Sequence, residues 1–343
     1  MIFKGSYIEI TNRCNLNCRD CYNSSGKNKV TVELDLDVLL KYVEELIVIY
    51  NAKSITFSGG EPLLYTKIDS LLDALEDMSA RFPAVEFAFV TNGTLYNKKL
   101  YDLLENNKQF FAQISLDGPT EDSCATMRGA GTFTKVLENV KQRKFFNKPF
   151  FKMIINKANA SYVEDYFHFV YDELGGVPSY AFTSLLGNAV ENWEEMNIST
   201  AEKVKILTIV QKKYLENNIK EAVLPVPTVH CDLLDADGER EFCIKADGSI
   251  QPCQNFYDDK FCIGNIYNLD WKVLCDNFDK LSAYLTARME IDYGCQKCYI
   301  KSVCGRGCPA FAFIENKDAL TSDMSCEFRR LATINMIKTK KTV

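Results

Sequence analysis

Short strand-like runs alternate with longer helix-like runs through the first two-thirds of the sequence. The strand candidates are Tyr7–Ile10, Lys53–Phe57, Val85–Val90, Phe110–Leu116, Phe150–Ile155 and Tyr180–Ser184. The helix candidates are Leu36–Tyr50, Lys67–Arg81, Lys98–Asn106, Phe133–Phe146, Tyr162–Leu174 and Ala201–Asn217. Such an alternation is typical of parallel strands covered by helices. We therefore expect an α/β protein with a parallel sheet or barrel.

The alternation stops at two prolines, Pro225 and Pro227. Beyond them the chain is rich in cysteine and turns and poorer in long amphipathic segments. Residues 246–248, Ala-Asp-Gly, predict a hairpin turn between two short strands. We expect two domains, residues 1–224 and 225–343.

Composition places the 343-residue chain among ordinary globular proteins, with 47% hydrophobic and 25% charged residues. The net charge of −6 argues against a protein that coats nucleic acid. The sequence shows neither a signal-peptide pattern nor an apolar stretch of roughly 18 residues. We expect a cytoplasmic protein that binds neither nucleic acid nor membrane.

The fourteen cysteines point to metal, because disulfide frameworks are rare in cytosolic proteins. Cys14, Cys18 and Cys21 lie together near the start, and ten of the others lie between Cys231 and Cys326. This distribution predicts two metal-bearing regions.

The first group, in TNRCNLNCRDCY, supplies three thiols directly after the first predicted strand. Three ligands are one short of a structural zinc site, whereas a catalytic metal site keeps a position open. The spacing suits a [4Fe–4S] cube with one exposed iron. The alternative is a zinc site completed by a distant residue, and the two histidines, His168 and His230, lie far along the chain.

This CxxxCxxC pattern after the first strand resembles the signature of the radical SAM enzymes. The resemblance implies that the amino and carboxylate groups of S-adenosylmethionine chelate the open iron. It also implies that an electron from the cluster cleaves this cofactor to methionine and a 5′-deoxyadenosyl radical, which abstracts a hydrogen atom. Tyr22, after the third cysteine, would lie beside the cofactor. Asp20 stands where the family more often has an aromatic or apolar residue.

The second predicted strand ends in Ser58, Gly59, Gly60 and Glu61, followed by a proline. Glycines allow the backbone to approach a ligand closely, and a carboxylate can accept a hydrogen bond from an ammonium group. This turn resembles the GGEP element that contacts the methionyl amine in radical SAM enzymes. The alternative is an ordinary strand-to-helix turn.

Polar residues also follow the next two strands, and in a parallel barrel such ends face one mouth. By the same resemblance, further cofactor contacts fall on Thr91, Asn92, Ser115, Asp117, Arg128 and Leu185. Ser115 would contact the ribose or a carboxylate, and Leu185 would pack on the adenine. Arg128 would pair with the methionyl carboxylate, or alternatively lie in a surface loop.

A second group of eight cysteines supplies enough thiols for two four-ligand sites, either zinc or iron–sulfur. The run CxxCxxxxxCxxxC resembles the SPASM extension of radical SAM enzymes, which carries two auxiliary [4Fe–4S] clusters. This resemblance assigns Cys231, Cys243, Cys253 and Cys308 to the first auxiliary cluster, and Cys295, Cys298, Cys304 and Cys326 to the second. The implied architecture is a partial (β/α)6 TIM-like barrel with a C-terminal cysteine-rich iron–sulfur domain, three clusters in all.

Three cysteines and two histidines remain after this assignment. We expect Cys124, Cys262 and Cys275 to be buried inert thiols, with a catalytic thiolate as the alternative. His168 would pack against neighbouring side chains or lie on the surface, and His230 would be an alternative metal ligand beside Cys231.

The family resemblance implies an enzyme that modifies a peptide or protein and takes electrons from a flavodoxin or ferredoxin. Sulfatase-maturing members carry Asp as a base directly after the second auxiliary cysteine, but Gln254 and Asn255 follow Cys253 here. This favours thioether or carbon–carbon crosslinking of a ribosomally made peptide. Asp258 and Asp259 are alternative bases. The remaining alternatives are formylglycine formation, a non-peptide substrate and a non-catalytic zinc scaffold.

Only six residues precede the first predicted strand, and we expect no winged-helix segment before it. If a leader peptide is captured, we expect a separate protein or the barrel mouth to bind it.

Overall fold

One mixed sheet organises the protein. The computed structural model describes residues 3–27, 30–226, 231–234, 240–291, 295–301 and 304–340. In these residues the strand order is β6-β5-β4-β3-β2-β1-β7-β8-β9. The strands are β1 Phe3–Thr11, β2 Ser54–Gly59, β3 Glu86–Thr91, β4 Phe110–Ser115, β5 Phe150–Ile155, β6 Val177–Phe182, β7 Arg240–Ile244, β8 Ser249–Gln251 and β9 Gly264–Asn265.

The first six strands are parallel and adjacent in chain order, as the alternation predicts. The helices are α1 Leu36–Tyr50, α2 Ile68–Arg81, α3 Lys98–Asn106, α4 Glu121–Arg128, α5 Thr132–Val140, α6 Val163–His168, α7 Trp193–Met196, α8 Thr200–Glu216, α9 Trp271–Thr286, α10 Pro309–Asn316 and α11 Cys326–Lys340. Asp35 caps α1 by accepting from the backbone N–H groups of Asp37 and Val38.

Side chains alternate between the two faces of the parallel strands, as the strand period requires. In β4, Phe110, Ala112 and Ile114 are buried, whereas Gln113 and Ser115 are half-buried. Half-buried side chains from each of the six parallel strands line one cavity. The sheet therefore curves around that cavity as an open, partial barrel.

Two predicted helices differ from those observed. The expected helix Phe133–Phe146 ends at Val140, and α4 precedes it without having been predicted. Thr120 and Ser123 form a capping box that starts α4. The expected helix Tyr162–Leu174 is helical to His168 and continues as a π turn to Glu173.

The C-terminal region joins the same sheet, because β7 pairs in parallel with β1. The hairpin turn at 246–248 is confirmed by the antiparallel pairing of β7 with β8. The expected shortage of long helices was wrong, since α9 has 16 residues and α11 has 15. Leu274, Phe278 and Leu285 bury one face of α9. The division into 1–224 and 225–343 stays a prediction.

Helix α11 returns to the barrel and packs on α8. The Phe182 and Phe328 rings meet edge to face at 5.4 Å, and Gln211 Nε2 donates to the Met336 carbonyl at 3.2 Å. In the described part of the chain, no helix combines the length and the apolar character that a membrane span requires.

Candidate active site

A cavity of about 680 Å³ lies at the carboxyl ends of the parallel strands. Its walls come from the loop after β1, from the inner faces of β1–β6 and from residues 253–255 of the C-terminal region. A volume of this size is typical of cofactor and small-molecule sites. The predicted site residues that line it are Cys14, Cys18, Cys21, Tyr22, Ser58, Gly59, Gly60, Thr91, Asn92, Ser115, Arg128 and Cys253.

The loop after β1 places Cys14, Cys18 and Cys21 half-buried in the cavity wall. Asn92 Nδ2 lies 3.8 Å from Cys14 Sγ, and Arg128 Nη1 lies 3.8 Å from Cys18 Sγ. Burial raises the pKa of all three thiols, and it raises that of Cys18 to about 12 although Arg128 lowers it. Since only the thiolate binds metal, a nearby metal cation is what would ionise them at neutral pH.

The turn before α7 holds this loop in place. The Asn188 backbone N–H donates to the Cys21 carbonyl at 2.9 Å, and Asn188 Nδ2 donates to the Cys18 carbonyl at 2.8 Å. A Cβ atom on Gly187, where φ is +53°, would lie 2.2 Å from the Cys21 carbonyl oxygen. The close approach therefore requires glycine at position 187.

The glycine pair after β2 approaches the same loop from the opposite side. The Gly60 N–H donates to the Thr11 carbonyl at 2.8 Å, and the Glu61 N–H donates to the Arg13 carbonyl at 2.7 Å. A Cβ atom on Gly60 would lie only 2.0 Å from the Arg13 carbonyl oxygen. The backbone thus touches the cysteine loop where a ligand contact was expected.

The Glu61 side chain is fully buried behind the cavity wall. Its carboxylate accepts hydrogen bonds from Thr91 Oγ1 at 2.8 Å and from the Asn92 and Leu63 backbone N–H groups at 2.7 and 3.2 Å. Burial raises its pKa, although these hydrogen bonds lower it. Glu61 therefore ties the end of β2 to the end of β3, and its contact with a cofactor amine stays a prediction.

Asp117 is also buried behind the wall and binds Arg128, whose Nε donates to Asp117 Oδ2 at 2.6 Å. The interpretation of Arg128 as a surface-loop residue was wrong, because its side chain is 9% exposed and lines the cavity. Burial lowers the pKa of Arg128, but Asp117, Cys18 and Asp20 raise it, and the net direction is upward. Leu185 is half-buried and does not line the cavity.

Asp20 also lines the cavity, and its Oδ2 atom is buried without a hydrogen-bond partner. Burial and the nearby Asp117 raise the pKa of Asp20 to about 7, although Arg128 lowers it. An unpartnered buried oxygen in a cavity wall marks a position where a ligand group can donate.

Several cavity residues escaped the sequence analysis, including Tyr7, Gln113, Lys152 and Glu241. Lys152 Nζ donates to Ser179 Oγ at 3.2 Å and to the Tyr180 carbonyl at 3.0 Å. Burial lowers its pKa to about 8. A lysine inside the apolar strand FFKMII was the available signal, because such a residue must face a polar interior or solvent.

The assignment of the C-terminal cysteines to two clusters stays a prediction. Burial raises the pKa of Cys253, and Cys308, Cys231 and Cys243 raise it further. The second group is alike: burial, Cys304, Cys295 and Cys298 raise the pKa of Cys326, although Arg329 lowers it.

None of the fourteen cysteines forms a disulfide bond in the part of the chain that the structure describes. No three His, Cys, Asp or Glu side chains of the described residues are arranged to hold a single metal ion. In a [4Fe–4S] cube each thiolate binds a different iron, so its ligands lie farther apart than those of one ion.

Of the remaining predictions, Cys124 is buried as expected, whereas Cys262 is exposed and Cys275 is half-buried. His168 lies on the surface, where its Nδ1 is 2.8 Å from Asp172 Oδ2. His230 lies outside the described residues. The alternative bases, Asp258 and Asp259, are exposed and do not line the cavity.

Comparison with known proteins agrees with this geometry. The radical SAM superfamily, as a sequence family, matches residues 8–170, which include the three-cysteine loop and the strand ends around the cavity. Residues 8–170 therefore form a radical SAM domain. The cysteine-type anaerobic sulfatase-maturating enzyme of Clostridium perfringens is 24% identical to this chain over 350 residues, covering 92% of this chain and 90% of the relative.

Two solved structures share the fold over nearly the whole chain. The structure of anSMEcpe with bound AdoMet has a TM-score of 0.76 at 21% identity, covering 99% of this chain and 98% of that one. SuiB of Streptococcus suis bound to S-adenosylmethionine has a TM-score of 0.74 at 16% identity, covering 94% and 77%. anSMEcpe has also been solved with the Cp18Cys peptide, and SuiB with its precursor peptide SuiA.

Proposed function

We propose that this radical SAM enzyme is a peptide maturase that forms thioether or carbon–carbon crosslinks in a ribosomally made peptide. One observation carries the proposal: a single cavity is lined by Cys14, Cys18 and Cys21 on one side and by residues 253–255 on the other. A cofactor on the three-cysteine loop and a substrate side chain would therefore meet beside the C-terminal thiols.

We assign one [4Fe–4S] cluster to Cys14, Cys18 and Cys21 and two auxiliary clusters to the eight C-terminal cysteines. The arrangement is compatible with this, because three thiols and the unpartnered Asp20 oxygen face one cavity, and in each C-terminal quartet three cysteines raise the pKa of the fourth. When bound, the first cluster supplies the electron that cleaves S-adenosylmethionine to methionine and a 5′-deoxyadenosyl radical.

The residues of this chain position that cofactor. Tyr7 donates to Ser58 Oγ at 2.6 Å, which fixes both hydroxyl groups in the wall. Ser115 and Arg128 present a hydroxyl and a cation to the cavity. A guanidinium held by a buried carboxylate suits the methionyl carboxylate of the cofactor. Glu61 and Asp117 would act through the residues they hold, and Leu185 would pack behind the adenine.

A crosslink removes two hydrogens from the peptide. One leaves as an atom, transferred to the deoxyadenosyl carbon, and the other leaves as a proton and an electron. Lys152 is the cavity group able to accept the proton once its amine is neutral. The first auxiliary cluster would accept the electron, since Cys253 lines the cavity. A flavodoxin or ferredoxin in the cytoplasm would supply the reducing electron for the next turnover.

Formylglycine formation is a second candidate, favoured by the 24% identity to the sulfatase-maturating enzyme. In the sulfatase-maturing members the base is an Asp directly after the second auxiliary cysteine. The two residues after Cys253 are Gln254 and Asn255, and both line the cavity with amides that cannot accept a proton from carbon. The crosslinking reaction is therefore our first choice.

The test is anaerobic incubation of the reconstituted enzyme with S-adenosylmethionine, a reductant and the peptides encoded beside its gene. We expect about twelve irons per chain, deoxyadenosine release, and a peptide that has lost two hydrogens and resists fragmentation between the joined residues. A hydrazide-reactive aldehyde would select formylglycine formation instead. Colourless protein with stoichiometric zinc and no deoxyadenosine would refute both reactions.

A further inference from the structure

Two arginines, Arg288 and Arg329, are buried in the C-terminal region with too little negative charge around them. Their side chains are exposed by only 0% and 1%. Among the described residues from 231 onward, Asp323 is the one acidic side chain buried with them. Burying a charge without a partner is costly, so such an excess indicates a missing anion.

The existing contacts do not remove the excess. Arg329 Nη1 pairs with Asp323, whose Oδ2 also accepts from the Cys308 backbone N–H at 2.8 Å. Arg288 donates only to backbone carbonyls, those of Arg306, Gly307 and Thr321. Carbonyl groups are neutral, so Arg288 has no ion pair of its own among the described residues, and Asp323, which stabilises its charge, is already paired with Arg329.

In these two arginines, three buried guanidinium nitrogens have no hydrogen-bond partner among the described residues, namely Arg288 Nε, Arg329 Nε and Arg329 Nη2. Native proteins rarely leave such donors unsatisfied. They are therefore a second sign, independent of the charge count, that an acceptor belongs beside them.

The nearest candidates are the two cysteine quartets. Burial lowers the pKa of Arg329, and Asp323, Cys304 and Cys326 raise it. Burial likewise lowers the pKa of Arg288, and Asp323, Cys308 and Cys231 raise it. A [4Fe–4S] cube held by four thiolates is a net anion, and its sulfurs accept hydrogen bonds.

We propose that Arg288 and Arg329 are positioning residues that raise the reduction potentials of the two auxiliary clusters, Arg288 for the first and Arg329 for the second. This inference rests on the proposed function. Reduction adds one negative charge to a cluster, and a fixed guanidinium in a low-dielectric interior stabilises that charge. Both clusters are thereby made better electron acceptors.

The test uses the full chain with Cys14, Cys18 and Cys21 replaced by alanine, so that only the auxiliary clusters remain. Iron analysis should give about eight irons per chain, and an EPR-monitored redox titration gives both potentials. Arg329→Met should lower the potential of one cluster. At a fixed potential its reduced-to-oxidised ratio should fall about tenfold, which is a shift of about 59 mV for a one-electron couple. Arg288→Met should lower the reduction potential of the other cluster.

Three further variants distinguish an effect of charge on the potentials from an effect of misfolding. Arg330→Met removes the exposed neighbouring cation, which lies 5.4 Å from the Tyr299 ring, and should leave both potentials unchanged. Arg329→Lys keeps the charge and should stay near the wild-type potential. Asp323→Asn removes the buried anion and should raise the potential, a sign that loss of packing would not produce.

Eight irons with unchanged potentials in Arg329→Met and Arg288→Met would overturn this inference alone. An equal shift of a cluster potential in Arg330→Met would also overturn it, because an exposed positive charge would then have the same effect on the potential as a buried one. No bound iron in the three-cysteine variant, with four irons in the wild type, would overturn the auxiliary clusters and this inference with them.

Discussion

Replacing Gly60 by alanine should disable the cofactor site and leave the rest of the fold in place. The added Cβ atom would lie 2.0 Å from the carbonyl oxygen and 2.5 Å from the carbonyl carbon of Arg13. Both are backbone atoms of the loop that carries the three cysteines, so no side chain can turn aside. Ordinary contact begins at 3.4 Å. The loop must therefore retreat by about 1.4 Å.

A displacement of this size is large for chemistry that depends on aligned atoms. A misplacement of about 1 Å can cost about 10²-fold in rate, which corresponds to about 2.7 kcal/mol of activation free energy. We expect Gly60→Ala to lower deoxyadenosine formation by at least this factor. The assay is anaerobic turnover of S-adenosylmethionine with dithionite, with deoxyadenosine measured by chromatography and iron measured in the same sample.

Gly175→Ala is the matched control. Gly175 lies in the loop before β6, with φ at +65°, and a Cβ atom added there would meet no other atom within 4 Å. Alanine at this position meets backbone strain of about 1–2 kcal/mol but no collision, so cofactor cleavage should persist. Wild-type deoxyadenosine formation by Gly60→Ala would refute the reasoning, because the loop would then tolerate a shift that the geometry says it cannot.

Three other changes test separate contacts. Product formation should rise with pH through about 8 as the Lys152 amine loses its proton, and Lys152→Met should abolish that rise; an unchanged pH profile would exclude the amine as the base. Asp117→Asn leaves Arg128 buried without its carboxylate and should lower the urea-measured free energy of unfolding by about 3–5 kcal/mol, whereas a change under about 1 kcal/mol would contradict the pairing. Asn188→Ala leaves the Cys18 carbonyl without its side-chain donor and should lower the local stability of the cysteine loop by about 1–3 kcal/mol. The measurement is the rate of iron release to a chelator, which should increase. Release at the wild-type rate would contradict the role of that contact.

The sequence predicted the βα series, the hairpin at 246–248 and part of the set of residues that line the cavity. These features depend on local patterns, namely strand and helix periods, turn chemistry and the position of polar residues at strand ends. Two long C-terminal helices were missed, because cysteine and turn residues dominated the interpretation of that region. In α9 the buried Leu274, Phe278 and Leu285 recur at intervals of four and seven residues, a pattern that was present but not used.

The inner face of the barrel was harder to predict, because a strand pattern does not say which of its two faces meets a cavity. Lys152 pairs in register with Ser115 on one neighbour and Ser179 on the other, so three polar side chains form a row across β4, β5 and β6. That row exists only after the strands have paired. A single strand shows one lysine, and its burial and lowered pKa arise from the assembled sheet.

The same limit explains Glu61 and Asp117. A motif identifies residues that a site needs, but it does not say which atoms face the ligand. In both cases the carboxylate is fully buried and is satisfied by protein donors, Thr91 and Asn92 for Glu61, and Arg128 for Asp117. A buried carboxylate with partners fixes those partners rigidly, since releasing any of them would leave charge unpaired. The two carboxylates therefore shape the site indirectly, because they hold in place the residues that line the cavity.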